Sequence, residues 1–413
     1  MSKLWDVIIV GAGPAGSAAA AALGKAGIPV LVLEKDEFPR FHVGESLLPA
    51  SGIAQSLMGA EPDPSIYVFK RGAQFICEQT GRNATFDFAE ALPGPPRHAY
   101  HVDRPLFDKQ LRDRAAALGA EIRHGVRVSG VDIDDAGVTV KTDHGQERCR
   151  FVIDATGQDR LLGRAQRSIE GYQHFGKAAN FTHFEGISDE VLAEFIPHND
   201  VRILMIEDGW AWVIPIPGKR LSVGMVSRKQ GALSQDSILR YVASSPLLRR
   251  WTAGASPRPP RMIGNFSFLN TKSHGSRFAS IGDAACFIDP VFSSGVALAL
   301  HAGTHLAEIL IPALATGNEA DPNLAAKVKE HMQPAYDSFC SLVYRFYNTR
   351  FVDNVFFGAP TGGDLRASVV SVLAGDVLRP DNAFRDMLLS SRSQPWRKTQ
   401  AAPGAGASSK GTS

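Results

Sequence analysis

The feature that most restricts this chain is Gly11-Ala12-Gly13-Pro14-Ala15-Gly16, which follows the β-branched run Val7-Ile8-Ile9-Val10 and opens an Ala-rich segment. GxGxxG in that setting demands a strand, a tight turn and a helix in immediate succession. Gly11 permits the turn, Gly13 lets backbone approach a pyrophosphate, and Gly16 lets the helix pack closely on the strand, with Ala15 on the same phosphate-facing turn. The exposed N–H groups and positive end of such a helix hold phosphate. Gly27 and Pro29 then return the chain to a second strand at Val30–Leu33, and Glu34 ends it where a carboxylate can accept both ribose hydroxyls. Residues 5–35 read as a βαβ dinucleotide-binding unit.

Composition narrows the class without naming a reaction. Lys plus Arg (44) nearly balance Asp plus Glu (42), so no strong field points to nucleic acid or an anionic membrane. The four cysteines, Cys77, Cys149, Cys286 and Cys340, show no metal-ligand spacing and read as reduced thiols. The N-terminus lacks the apolar length of a signal peptide. The apolar stretch 296–315 carries His301, Gly303, His305 and Glu308, which reads as a core helix rather than a membrane span. A cytoplasmic enzyme is expected.

Along the chain, 40–50 reads as loop, 69–88 as strands, and 91–97 as a Pro-rich connection. A helix is expected over 106–118, strands over 121–140 and 151–154, and mostly strands from 172 to 228 with a helix near 189–195. A strand at 278–283 and a helix at 295–315 follow, and the remainder to about 392 is mainly helical. The expected fold is α/β: a Rossmann-like dinucleotide-binding domain with an inserted β-rich substrate domain and a C-terminal mainly helical region. The expected division places the cofactor part at 1–60, 98–165 and 270–318, the β-rich part at 61–97 and 166–269, the helical part at 319–395, and a disordered tail at 396–413.

Three later segments select FAD. His101-Val102-Asp103-Arg104-Pro105-Leu106-Phe107-Asp108 resembles the RxxFD segment of FAD monooxygenases of the hydroxybenzoate-hydroxylase type. Asp154-Ala155-Thr156-Gly157 and Gly282-Asp283-Ala284-Ala285 resemble that family's second and third FAD fingerprints. The resemblance gives Asp283 a contact to the ribityl–pyrophosphate region; taken singly, Asp154 and Asp283 read equally as strand-end caps. Arg40, Ser46, Arg104, Pro290 and Gly295 complete the expected FAD contacts.

Two further constellations choose among FAD enzymes. Gly209-Trp210-Ala211-Trp212-Val213-Ile214-Pro215 puts Trp210 and Trp212 on one face of a strand. Lys70, in Phe69-Lys70-Arg71-Gly72-Ala73, follows Val43-Gly44-Glu45-Ser46-Leu47-Leu48-Pro49. Alone, the first reads as a core aromatic pair and the second as a solvated charge. Together they resemble the flavin-dependent halogenases, whose marker is WxWxIP and whose essential lysine is similarly placed. Asp289-Pro290-Val291-Phe292-Ser293-Ser294-Gly295 resembles that family's loop beside the isoalloxazine, where halide is held; Ser293, Ser294 and Gly295 inherit that role. The resemblance implies that FADH2 and O2 form a C4a-hydroperoxide that oxidises chloride or bromide to hypohalous acid. Lys70 then relays the halogen to an electron-rich ring, while Trp210 and Trp212 keep the ring from the flavin. Phe292 replaces a Glu of the tryptophan-specific branch, so the resemblance points to a phenol- or pyrrole-like substrate, in a branch that often uses acyl- or peptidyl-carrier tethers. Tyr336, Phe339, Tyr344, Phe346 and Tyr347 are available to cover the cavity, or to pack the core. Asp289 lies where some relatives link FAD covalently, a point the sequence leaves open. No second GxGxxG marks a nicotinamide site, so a separate flavin reductase is expected to supply FADH2. An FAD hydroxylase or prenyl-type reductase on the same fold, and an FAD-binding scaffold without turnover, are the competing readings.

Overall fold

The computed structural model describes residues 3–58, 62–94, 96–358, 363–391 and 394–396. Its first sheet has eight strands, ordered 274–275, 278–280, 145–154, 4–10, 30–33 and 121–123, with the 128–134/137–142 hairpin joined through the 145–154 strand. Leu4–Val10 lies between Gly145–Asp154 and Val30–Leu33, parallel to both. Val7, Ile8, Ile9, Val30, Leu31 and Val32 are wholly buried. Continuous β-branched runs of this kind suit a parallel sheet covered on both faces.

The helix Pro14–Lys25 leaves this sheet through the glycine turn. Gly11 has φ +100°, and a Cβ there would stand 2.5 Å from the Ala155 carbonyl oxygen. Gly16 is the tighter constraint, since its Cβ would lie 2.0 Å from Gly11 O. The 22-residue helix Gly295–Thr316 is long and apolar enough to cross a membrane, yet it packs on Pro14–Lys25 as a core element. Gly303 permits that approach: a Cβ on it would lie 2.4 Å from Ala15 O.

A second eight-stranded sheet runs 256–257, 178–185, 220–227, 209–216, 201–206, 72–77 and 82–87, with 261–264 also paired to 178–185. Only 201–206 with 72–77 is parallel; the other pairings are antiparallel. A two-stranded ribbon, Tyr67–Lys70 with Ala99–Val102, and the small sheet 169–171, 268–270, 286–287 straddle the expected divisions at 97/98 and 269/270. The helices Ala326–Phe346, Thr349–Val355, Gly363–Leu373 and Ala383–Ser390 close the chain.

Two local expectations are corrected. The strand expected over 278–283 ends at Ser280, because Gly282 takes φ +59° and 282–284 turn as a 3-10 helix. Two helices, Ser237–Ser244 and Pro246–Trp251, follow the strand-rich stretch. The second starts on Ser245, whose hydroxyl accepts Leu248 N–H at 3.1 Å, with Pro at the first helical position. Trp396 is buried against Tyr344, so the tail expected from 396 does not begin at that residue; 397–413 lie outside the described residues.

Candidate active site

At the glycine turn the Glu34 carboxylate accepts Ala12 N–H at 2.8 Å and Asp36 N–H at 3.0 Å, which fixes its orientation while each oxygen keeps a further lone pair. Arg40 hangs over the same turn. Its guanidinium is 4.0 Å from Glu34 and 3.7 Å from Asp108, and the nearest atom to a Cβ on Gly13 would be Arg40 Nη2 at 3.6 Å. Arg40 Nε is buried and makes no hydrogen bond, with Asp36 the nearest carboxylate at 4.0 Å. A guanidinium with a spare donor beside an open glycine backbone fits a pyrophosphate. Ala15 is buried at the helix start, against Gly282.

Arg104 is spent differently. It grips Asp108 with two nitrogens at 2.9 and 3.0 Å and donates to the carbonyls of Val43 and Gly44. It thereby holds the Gly44-Glu45-Ser46 loop. Glu45 is clamped from the other side by His183 at 2.7 Å. Burial pushes the Glu45 carboxyl up, but the contact with His183 and the backbone N–H bonds of Gly44 and Glu45 together outweigh it and the net shift is downward. Asp283 is half-buried at the Gly282 turn, and burial raises it to about 6 against the pull of Gln158 and Arg104. Asp154 ends its strand with Thr156 and Leu162 N–H groups on its carboxylate.

Lys70 is the unexpected geometry. A lysine is rarely fully buried, yet this one is 1% exposed. Its Nζ donates to Ser46 Oγ at 2.9 Å and Leu47 O at 2.7 Å, and lies 5.1 Å from the Phe88 ring centre. Burial lowers the amine to about 7, with Asp200 opposing. The structure thus places Ser46 against Lys70.

Trp210 and Trp212 share one face, ring centres 5.6 Å apart, and both are buried. Trp212 Nε1 donates to Ser222 Oγ at 3.1 Å. Trp210 Nε1 donates to the Tyr347 hydroxyl at 3.2 Å, and that hydroxyl donates to Asp289 Oδ2 at 2.8 Å. Asp289 also accepts Gly176 N–H and Val291 N–H, at 2.8 and 3.1 Å. Burial nonetheless raises it to about 6. This chain ties the Trp pair to the turn Pro290–Phe292, after which Ser293 adopts φ +55° and Ser294 precedes the helix beginning at Gly295 without a side-chain bond to its N–H groups. The N–H groups of that helix's first turn have no intrahelical acceptor and favour an anion.

Phe292 is buried among rings: Phe346 at 5.5 Å, Phe75 at 6.5 Å and Phe356 at 6.5 Å. Of the C-terminal aromatics, Phe339 and Phe346 are core residues and Tyr347 reaches Asp289. Sequence reasoning missed Tyr347's bonds, the Glu45–His183 pair, Gly224 beneath Trp212, and His101 and Asp200 beside Lys70. Only WxWxIP carried a hint, since tryptophan N–H groups inside a core require acceptors.

The profile of the family described as tryptophan halogenase matches residues 6–95 and 92–368. The chain belongs to that family. Among its relatives, the 1H-pyrrole-2-carbonyl-[peptidyl-carrier protein] chlorinase of Pseudomonas fluorescens is 28% identical, covering 95% of this chain and 96% of that protein. The corresponding brominase of Pseudoalteromonas luteoviolacea is 29% identical over 90% of this chain and 92% of its own. A solved flavin-dependent brominase superposes with TM-score 0.81 at 26% identity, covering 94% of this chain and 97% of that one. The expected fold class and the flavin-halogenase assignment both hold.

Proposed function

We propose that the protein halogenates an electron-rich aromatic ring, phenol- or pyrrole-like, with FAD as cofactor and chloride or bromide as co-substrate. The observation that carries this is Lys70: a wholly buried amine held by Ser46 and Leu47, with a pKa near 7, in a family of halogenases. Reduced FAD with O2 supplies the oxidising equivalents that turn halide into hypohalous acid.

The chain's own residues do the rest. Gly11, Gly13, Ala15 and Gly16 present backbone to the phosphates, with Arg40 above them, Glu34 on the ribose and Asp283 on the ribityl side. Pro290, Ser293, Ser294 and Gly295 shape the halide turn at a helix N-terminus. Trp210 and Trp212 keep the ring substrate apart from the cofactor. Lys70, as ammonium, orients hypohalous acid by hydrogen bonding; as free amine, it accepts the halogen and releases water. A pKa near 7 keeps both forms available at neutral pH. Three protein donors already occupy Asp289, which supports FAD held without a covalent bond.

Residues 1–60, 98–165 and 270–318 hold the cofactor, 61–97 and 166–269 the ring, and 319–395 cover it. The apolar surroundings of Phe292 disfavour the charged amino-acid group of free tryptophan. Two relatives named for carrier-bound pyrrole support a substrate tethered to a carrier protein. We assign FADH2 supply to a separate cytoplasmic flavin reductase. The test is mass spectrometry of products from free and carrier-bound phenols and pyrroles, with FADH2, oxygen and halide. Halogen isotope doublets on the ring support the reading; hydroxylated product alone overturns it.

A further inference from the structure

Both acceptors of the Lys70 amine lie on one short segment, and that segment is a third strand of the ribbon. Val102 N–H donates to Glu45 O at 2.8 Å, Leu47 N–H donates to Tyr100 O at 2.9 Å, and Ser46 bridges His101 in antiparallel sense. Residues 45–47 thus cover the edge of Ala99–Val102 that Tyr67–Lys70 leaves free. Lys70 is paired with Ala99, so its side chain crosses the middle strand to reach Ser46 Oγ at 2.9 Å and Leu47 O at 2.7 Å. The place of the amine is set by the place of 45–47.

Successive side chains of a strand point to opposite faces, so Glu45 leaves the segment on the side away from Ser46. Its carboxylate accepts Gly44 N–H at 3.0 Å and the Nε2–H of His183 at 2.7 Å, and both members of the pair are buried. His183 belongs to the second sheet. It lies opposite Ser222 on the neighbouring strand, and Ser222 Oγ accepts the Nε1–H of Trp212 at 3.1 Å. Opposed residues share a face and so do alternate ones, which puts His183, Ser222 and Trp212 on one face. Phe181, two residues before His183, stands there too, its ring 6.0 Å from that of Trp212. The backbone hydrogen bonds described for 45–47 run to the ribbon and not to this sheet. The Glu45–His183 bond therefore ties the strand that holds Lys70 to the sheet that carries the Trp pair. Desolvating a carboxylate is costly, and an apolar pair could join the two sheets without that cost. What the hydrogen bond adds is a fixed distance and direction.

We propose that His183 is a positioning residue for Lys70: through Glu45 it fixes the strand 45–47, and with it the amine, relative to Trp210 and Trp212. The inference rests on Lys70 being the halogen relay. Loss of His183 leaves the oxidation of halide intact and misplaces the relay. A displacement of about 1 Å can cost about 10²-fold in a step that depends on alignment.

The test compares wild type, H183L, H183Q and K70M, each as the full chain loaded with FAD and supplied with FADH2, oxygen and halide. The ring is the phenol or pyrrole, free or carrier-bound, that the wild type halogenates. The quantity read is ring product per hypohalous acid formed, the acid being counted with a diffusible scavenger. H183L should bind FAD and form hypohalous acid as the wild type does, while this ratio falls by roughly 10- to 100-fold, through kcat more than KM. H183Q, whose amide N–H can stand in for Nε2–H, should restore most of it. Should H183L not fold, H183N takes its place: its shorter amide stops short of Glu45 and should lose the ratio that H183Q keeps. An unchanged ratio in H183L or H183N overturns the proposal. So does a parallel loss of hypohalous acid and ring product, the result of a purely structural role. A low ratio in K70M beside an unchanged one in H183L strikes this inference alone; a wild-type ratio in K70M strikes the relay itself.

Discussion

The indole of Trp212 lies across the α-carbon of Gly224, so close that a Cβ on Gly224 would stand 2.2 Å from the ring. The two residues face each other on neighbouring strands, in a row running Phe181, Gly224, Trp212, Ile203, Phe75 across the sheet. Gly224 is also packed by Phe181, whose Cβ would be 2.5 Å away. G224A must therefore displace the indole or the strand, at a cost of about 1–3 kcal/mol. Denaturant melts should show that loss, and ring halogenation should fall while FAD affinity stays near wild type.

Tyr347 joins Trp210 to Asp289 through one hydroxyl. Y347F deletes a donor and an acceptor at once and should cost about 1–3 kcal/mol. Because Asp289 heads the turn leading to Ser293 and Ser294, the loss should reach the halide turn. Steady-state kinetics should show KM for halide rising more than kcat falls.

Arg40 has a buried nitrogen, Nε, that makes no hydrogen bond and has only Asp36 at 4.0 Å. If it serves the pyrophosphate, R40A removes a charge-assisted contact of about 1.5–3 kcal/mol, roughly 10- to 150-fold in FAD affinity. Flavin fluorescence titration reads this directly.

Asp289 also makes stability depend on pH. Its native carboxyl holds a proton up to about 6, against an ordinary 3.8. Between those values the folded protein binds more protons than the unfolded chain, so this group's contribution falls as pH rises through the window. Wild-type stability minus that of D289N should decline from pH 4 to pH 6 and then level off, as measured by urea titration.

The parts legible in the sequence are those in which chemistry and spacing are local. Gly11–Gly16 states its own turn, and Trp210 and Trp212 share a face because strands alternate. What stayed hidden depends on register between distant segments. Asp200 comes to Gly72, two residues past Lys70, only because 72–77 pairs in parallel with 201–206. Glu45 and His183 are 138 residues apart, and Asp289 reaches Tyr347 across 58. A lone lysine offers no sequence sign of burial, and Gly224 in a strand reads only as a weak position. The helix at 246–251 carries its own signal in Ser245-Pro246, a cap followed by a first-turn proline.

The most direct measurement of the central claim compares wild type with K70M, both loaded with FAD and supplied with FADH2, oxygen and halide. Two products are followed: ring halogenation by mass spectrometry, and free hypohalous acid by a diffusible scavenger. K70M should still release hypohalous acid to the scavenger while ring halogenation drops by about 10²–10⁴-fold. Ring halogenation by K70M at the wild-type rate would contradict the account.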